Sequence, residues 1–152
     1  MKCSIVFKLL FRVFGTFFSR WIRTDQLADT FPVSVKALIK DQDRYLCLQN
    51  ERGEWDFPGG KLETGATLGQ TLLNEVFEET NLRIEFEDFC YLEQYLVNRS
   101  WVVIAIYHAK IDTLDAIQIS HEHMEFGFFT REQLKLMNTP AWVKYLLNKE
   151  FA

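Results

Sequence analysis

Three glutamates crowd one short stretch of this 152-residue chain: Glu75, Glu78 and Glu79 fall within five residues. Apolar positions between Leu68 and Thr80 recur with helical spacing, which predicts a helix there. On that helix the three carboxylates share an arc of about 100°, and Leu72, Leu73, Val76 and Phe77 fill the neighbouring arc. Like charges at these spacings repel by about 0.2–0.5 kcal/mol per pair. They also sit toward the C-terminal end, where the helix dipole disfavours anions. Packing alone gains nothing from such crowding, whereas three adjacent oxygen donors suit a hard divalent cation such as Mg²⁺. The structural alternative is a solvated acidic face.

The segment just before the helix favours the cation. Phe57-Pro58-Gly59-Gly60 is a tight turn in which glycine lets backbone approach a ligand closely, and its carbonyls can add hard oxygen ligands. Loop and helix together resemble the signature of the Nudix hydrolases, G-x5-E-x7-R-E-U-x-E-E-x-G-U with U aliphatic. Gly60 matches the first glycine and Glu75 the central glutamate. Val76 matches the aliphatic position, Glu78 and Glu79 the acidic pair, and Leu82 the final aliphatic. The flanking W-x-x-P-G-G-K-x-E, from Trp55 to Glu63, is also typical of the family. Three positions depart from the pattern. Ala66 stands where the family has Glu, Asn74 where it has Arg, and Asn81 where it has Gly. Asn81 tolerates the left-handed conformation of a helix C-cap. Asn74 offers only neutral hydrogen bonds where an arginine would orient the glutamates by charge-assisted ones.

The resemblance implies an α/β fold of the α+β kind: a Nudix-type α/β/α sandwich around a mixed β-sheet, spanning residues 30–152. It implies hydrolysis of the pyrophosphate linkage of a nucleoside diphosphate joined to another moiety, with Mg²⁺ or Mn²⁺ as cofactor. The implied metal ligands are Glu75, Glu78, Glu79 and the Gly59 carbonyl. Ser120–Phe126 resembles the E-H-x-x-x-x-W/F stretch that completes the family's site, so Glu122 is a further candidate ligand or base, with Glu125 as the alternative. The catalytic candidates are Glu75, Glu78 and Glu122. Glu78 would bind metal or orient a ligand water, and the general base stays open between Glu75 and Glu122. Lys61 could touch a phosphate or be solvated. His121 and His123 are expected at the surface or beside the ligands, since two histidines make a thin transition-metal site. Tyr45, Tyr95, Trp101 and Phe129 could stack on a nucleobase or belong to the core. Ala66 and Asn74 motivate a rival reading, in which the domain has lost turnover and binds a nucleotide or a protein.

The elements that must position these groups read as follows. Phe31–Lys40 alternates as a strand, with Val33, Val35 and Ala37 on one side and Ser34, Lys36 and Lys40 mostly on the other. Asp41–Asp43 is a turn, Tyr45–Gln49 a return strand and Asn50–Asp56 a polar loop. A short strand is expected at Arg83–Phe86, then a hairpin of Cys90–Val97 and Trp101–Lys110 across Asn98–Ser100. The second arm is apolar on both faces, as in a strand inside a sheet. Ile111–Ser120 reads as a loop and Glu125–Phe129 as a last strand. Thr130 with Gln133 forms a capping pair, and Pro140 opens a C-terminal helix.

Composition fits one globular domain: 48% hydrophobic and 25% charged residues. The net charge of −4 is uneven. Residues 1–23 carry Lys2, Lys8, Arg12, Arg20 and Arg23 and no acid, leaving 12 of the 17 bases against all 21 acids. So acidic a body argues against duplex nucleic acid as partner, and handling phosphates would require a cation. Residues 1–29 are expected to form an amphipathic helical extension, with Val6, Leu10, Val13, Phe14, Phe17, Phe18 and Trp21 at helical spacing. It could contact a membrane surface, a partner or a dimer mate through residues 1–23, or fold onto its own domain. Lys8 and Arg12 interrupt the apolar run, against both a membrane span and a signal peptide. Cys3, Cys47 and Cys90 are scattered and odd in number, which suits a reducing cytoplasm.

Overall fold

The computed structural model describes residues 31–97, 99–111 and 117–149. The expected helix over residues 1–29, with any contact it makes, lies outside them. Among the described residues, six strands and three helices follow in order: β1 (Val33–Asp41), β2 (Arg44–Gln49), β3 (Trp55–Asp56), α1 (Leu68–Thr80), β4 (Ile84–Val97), β5 (Ser100–Ile111), β6 (Glu125–Thr130), α2 (Arg131–Leu136) and α3 (Ala141–Asn148).

The sheet is mixed, in the order β3-β2-β1-β5-β4, with β6 also paired to β2. β1 runs parallel to β5, from Val33 opposite Val103 to Ile39 opposite Ala109. β5 is antiparallel to β4 on its other edge, and its sequence is apolar on both faces because Ala105 and Ala109 join one core and Ile104 and Ile106 the other. Beyond the turn at Gln42, β2 leaves β1 after two pairs and runs along β6 from Arg44–Thr130 to Gln49–Glu125.

Alternation along β1 creates a core on each face of the sheet. Val35, Ala37 and Ile39 join Leu72 and Val76 of α1, together with Leu82 and Ala105. Leu38 joins Phe57, Ile106 and Leu134, and Trp142, Val143 and Leu146 of α3. Each fully buried large aliphatic or aromatic side chain contributes about 1.5–3 kcal/mol. The result is the expected layering, with α1 over one face and α2 and α3 over the other.

Two expectations change. The strands anticipated at Arg83–Phe86 and Cys90–Val97 are one strand, β4, whose register shifts between Phe86 and Phe89 and again between Phe89 and Tyr91. Those irregularities carry the ladder through the charged Glu87-Asp88 step that reads as a loop. The loop expected at Asn50–Asp56 ends in the two-residue strand β3, which pairs with β2.

One connection becomes part of the sheet. Residues 58–62 lie along the edge of β1 that β5 leaves free. Ala37 N–H donates to the Pro58 carbonyl (2.9 Å), Val35 N–H to that of Gly60 (2.8 Å), and Leu62 N–H to that of Val33 (2.8 Å). Among the described residues no helix is long and apolar enough to cross a membrane.

Candidate active site

α1 is fixed at both ends before any site chemistry begins. Thr67 caps its start in a reciprocal box with Gln70, and Asn81 ends it in the left-handed conformation at φ 59°. The asparagine at the family's glycine position is therefore accommodated. Leu72 and Val76 bury against β1 and leave Glu75 and Glu79, one turn apart, toward the glycine turn.

The two glycines receive the two glutamates. A Cβ on Gly60 would overlap the Glu75 carboxyl group, so the absent side chain is what lets that carboxylate lie against the loop. Gly59, at φ +121°, donates its amide N–H to Glu79 Oε2 (2.8 Å). The other Glu79 oxygen, Oε1, accepts from His123 Nε2 at 2.9 Å. Glu79 is buried and held at both oxygens, while Glu78 is exposed beside it. Burial, then the neighbouring Glu79 and Glu78, push the Glu75 carboxyl group above the usual carboxylate range; Lys36 opposes them.

Lys36 is the largest addition to the sequence reading. Its ammonium donates to the Gly59 carbonyl (2.7 Å) and the Phe57 carbonyl (3.0 Å), and pairs with Asp56 Oδ2 at 3.1 Å. Asp56 Oδ1 in turn accepts from Phe57 N–H (2.8 Å). Burial on its own would lower the Lys36 pKa, but Asp56, Glu79 and Glu75 outweigh it and raise the value, so the group is charged. On sequence alone Lys36 belongs with the polar side of an alternating strand. A lysine sharing the face of the buried Leu38 was the available signal.

The later candidates separate. Glu122 is exposed, and its neighbour His123 is the residue that reaches α1. Backbone bonds seat this turn, from Ser120 N–H to the Glu79 carbonyl (3.0 Å) and from Gln118 N–H to that of Thr80 (2.9 Å). His123 Nδ1 and Ser120 Oγ are buried without hydrogen-bond partners. Glu125 is exposed at the start of β6, opposite Gln49. Asn74 is exposed and lines a groove with Leu73, Phe77, Leu82, Arg83 and Ile84. Lys61 is exposed and bridges to Ser34 through backbone. Of the four aromatic candidates, Tyr45 packs on Phe57, Tyr95 on Trp142 and Phe129 on Trp55, while Trp101 is exposed.

The donor chemistry fits a divalent ion. Glu63, Glu78 and Glu79 all act on Glu75 by charge, with Lys36 opposing them, and the four carboxyl groups offer hard oxygens. Among the described residues no three acidic, histidine or cysteine side chains converge on a shared ligand point. Both Glu79 oxygens already have protein partners, and each keeps a further lone pair.

Comparison with known proteins gives a single family. Residues 30–149 match the model of the NUDIX domain. The mouse protein "Nucleoside diphosphate-linked moiety X motif 6" is 36% identical over 64 residues, covering 42% of this chain and 19% of the relative. The Bacillus subtilis "Putative 8-oxo-dGTP diphosphatase YtkD" is 32% identical over 93 residues, 60% of this chain and 58% of the relative. The chain thus spans about a fifth of the first of these relatives and less than two thirds of the second. Among solved structures, the MutT protein of Methanosarcina mazei superposes with a TM-score of 0.70 at 23% identity, covering 78% of this chain and 91% of the other. A C. elegans Ap4A hydrolase gives 0.65 at 21% identity, with 78% and 93% covered. At those identities the likeness concerns the fold.

Proposed function

The chain belongs to the NUDIX domain family, and on that premise we propose that it is a metal-dependent hydrolase of the pyrophosphate linkage in a nucleoside diphosphate joined to another moiety. The observation that carries this reading is the seating of Glu75 and Glu79 on the Gly59–Gly60 turn. The names of the mouse and Bacillus relatives support a nucleotide derivative as the substrate class.

In this reading Glu75, Glu78 and Glu79 hold Mg²⁺ or Mn²⁺, with the Gly59 carbonyl and Glu122 as further oxygen donors. A bound divalent ion supplies charge to offset the phosphates and acidifies water for attack on phosphorus. The chain's own part is positional. The Gly59 amide and His123 fix the Glu79 carboxylate in direction. Glu75, with its raised proton affinity, and Glu122, on an exposed turn, are the two candidate bases, and Glu78 orients a ligand water. Free Cys47 and Cys90 suit a reducing cytoplasm.

A domain that binds without turnover is favoured by one observation: both Glu79 oxygens already have protein partners. A panel of nucleoside triphosphates, dinucleoside polyphosphates and nucleotide sugars, incubated with Mg²⁺ or Mn²⁺, separates the two. Cleavage into a nucleotide and a second phosphorylated product, or pyrophosphate from a triphosphate, that disappears in Glu79→Gln supports the hydrolase. Binding without cleavage across the panel supports the other reading.

A further inference from the structure

We propose that Lys36 is the chain's own counter-cation at the Glu75–Glu79 site, a positioning residue that stands against the divalent ion in charge and pins the glycine turn. This rests on the metal-dependent reading above.

The geometry is specific. An ammonium has three protons, and those of Lys36 have three acceptors: the Phe57 carbonyl, the Gly59 carbonyl and Asp56. The side chain is only 14% exposed. A charge so far removed from water is costly unless its partners are well placed. Gly59 is gripped from both sides, by Glu79 at its N–H and by Lys36 at its carbonyl. A single residue therefore links the anionic side of the site to the chain's own cation. Asn74 and Ala66 add no charge, and Asn74 is exposed. The carbonyl offered to a metal already accepts a cation's proton, although its second lone pair stays open. The repulsion between a fixed ammonium and an arriving divalent ion is a direct Coulomb effect, strongest where water is excluded.

The test is Mn²⁺ affinity by electron paramagnetic resonance, with thermal melts of the metal-free full chain, on the wild type, Lys36→Gln and Lys36→Met. Gln removes the charge and keeps amide donors for the loop carbonyls; Met removes both. The charge role predicts Mn²⁺ binding about tenfold tighter in Lys36→Gln, and tighter by less in Lys36→Met, where the turn also loses its pin. It also predicts a lower metal-free melting temperature in Lys36→Met, with a larger rise on adding Mn²⁺. Unchanged or weaker Mn²⁺ binding in the folded variants overturns the role. Lys36→Gln is expected to fold, and its failure to do so replaces the charge role with a purely structural one. If wild type binds Mn²⁺ and both variants match it, only the proposal for Lys36 falls. If none of the three binds Mn²⁺, the metal-dependent reading falls with it. Binding in the variants alone supports the counter-cation directly.

Discussion

His123 Nε2 meets Glu79 Oε1 at 2.9 Å, joining the turn before β6 to the last turn of α1 across 44 residues of sequence. The partner oxygen holds the Gly59 amide, so one carboxylate ties three segments together. Removing the imidazole leaves Glu79 largely buried with one oxygen unpartnered. His123→Ala is expected to cost about 1–3 kcal/mol of stability by urea unfolding. Turnover is expected to fall with little change in KM. Wild-type stability and rate in this variant would show that the pair orients nothing.

The fit of Glu75 over Gly60 makes a sharper prediction. In Gly60→Ala the new methyl group must displace the Glu75 carboxyl group. Overpacking of this kind costs about 1–3 kcal/mol. The variant is expected to keep its circular dichroism spectrum while losing most Mn²⁺ binding and turnover. Retention of both would mean that Glu75 does not need its seat on the loop.

The two cores are separable. Leu72→Ala, beneath α1, and Leu146→Ala, on α3, each remove a fully buried side chain and are expected to cost about 2–5 kcal/mol. Below the melting temperature, Leu72→Ala should also depress activity, because Leu72 underlies the helix that carries the glutamates. Leu146→Ala should not, being in the opposite layer. Equal loss of activity per folded molecule in the two variants would count against that division.

Burial pushes the Cys47 thiol far above its ordinary range, and only 1% of the residue is exposed. Alkylation of the native protein by iodoacetamide at neutral pH is therefore expected to spare Cys47, and unfolding in guanidinium to expose it. Peptide mass spectrometry reads the outcome directly. Rapid modification of Cys47 under native conditions would contradict the packing of β2.

Much of the frame was legible in the sequence because its signals are local. α1 occupies Leu68–Thr80 as its apolar period indicates, and Thr130 with Gln133 forms the expected reciprocal cap. The apolar run of β5 announces a strand covered on both faces. β4 was harder, since Glu87 and Asp88 look like a break and only the cross-strand ladder reveals a continuous element. The site shows the same division. Glu75, Glu78, Glu79 and the two glycines announce themselves by spacing. Lys36 does not, because Asp56, Phe57 and Gly59 lie 20 or more residues away and only the folded sheet brings them to its ammonium. Between Glu122 and Glu125 periodicity does not decide; both are exposed, and His123 between them is the residue that reaches Glu79.

The backbone bonds that join residues 58–62 to β1 carry a dynamic consequence. A segment laced into a strand cannot swing as a hinge, so the glycine pair shares the stiffness of the sheet beside it. Reshaping on arrival of a ligand is left to side chains, and slow amide exchange at Val35 and Leu62 is the signature to look for.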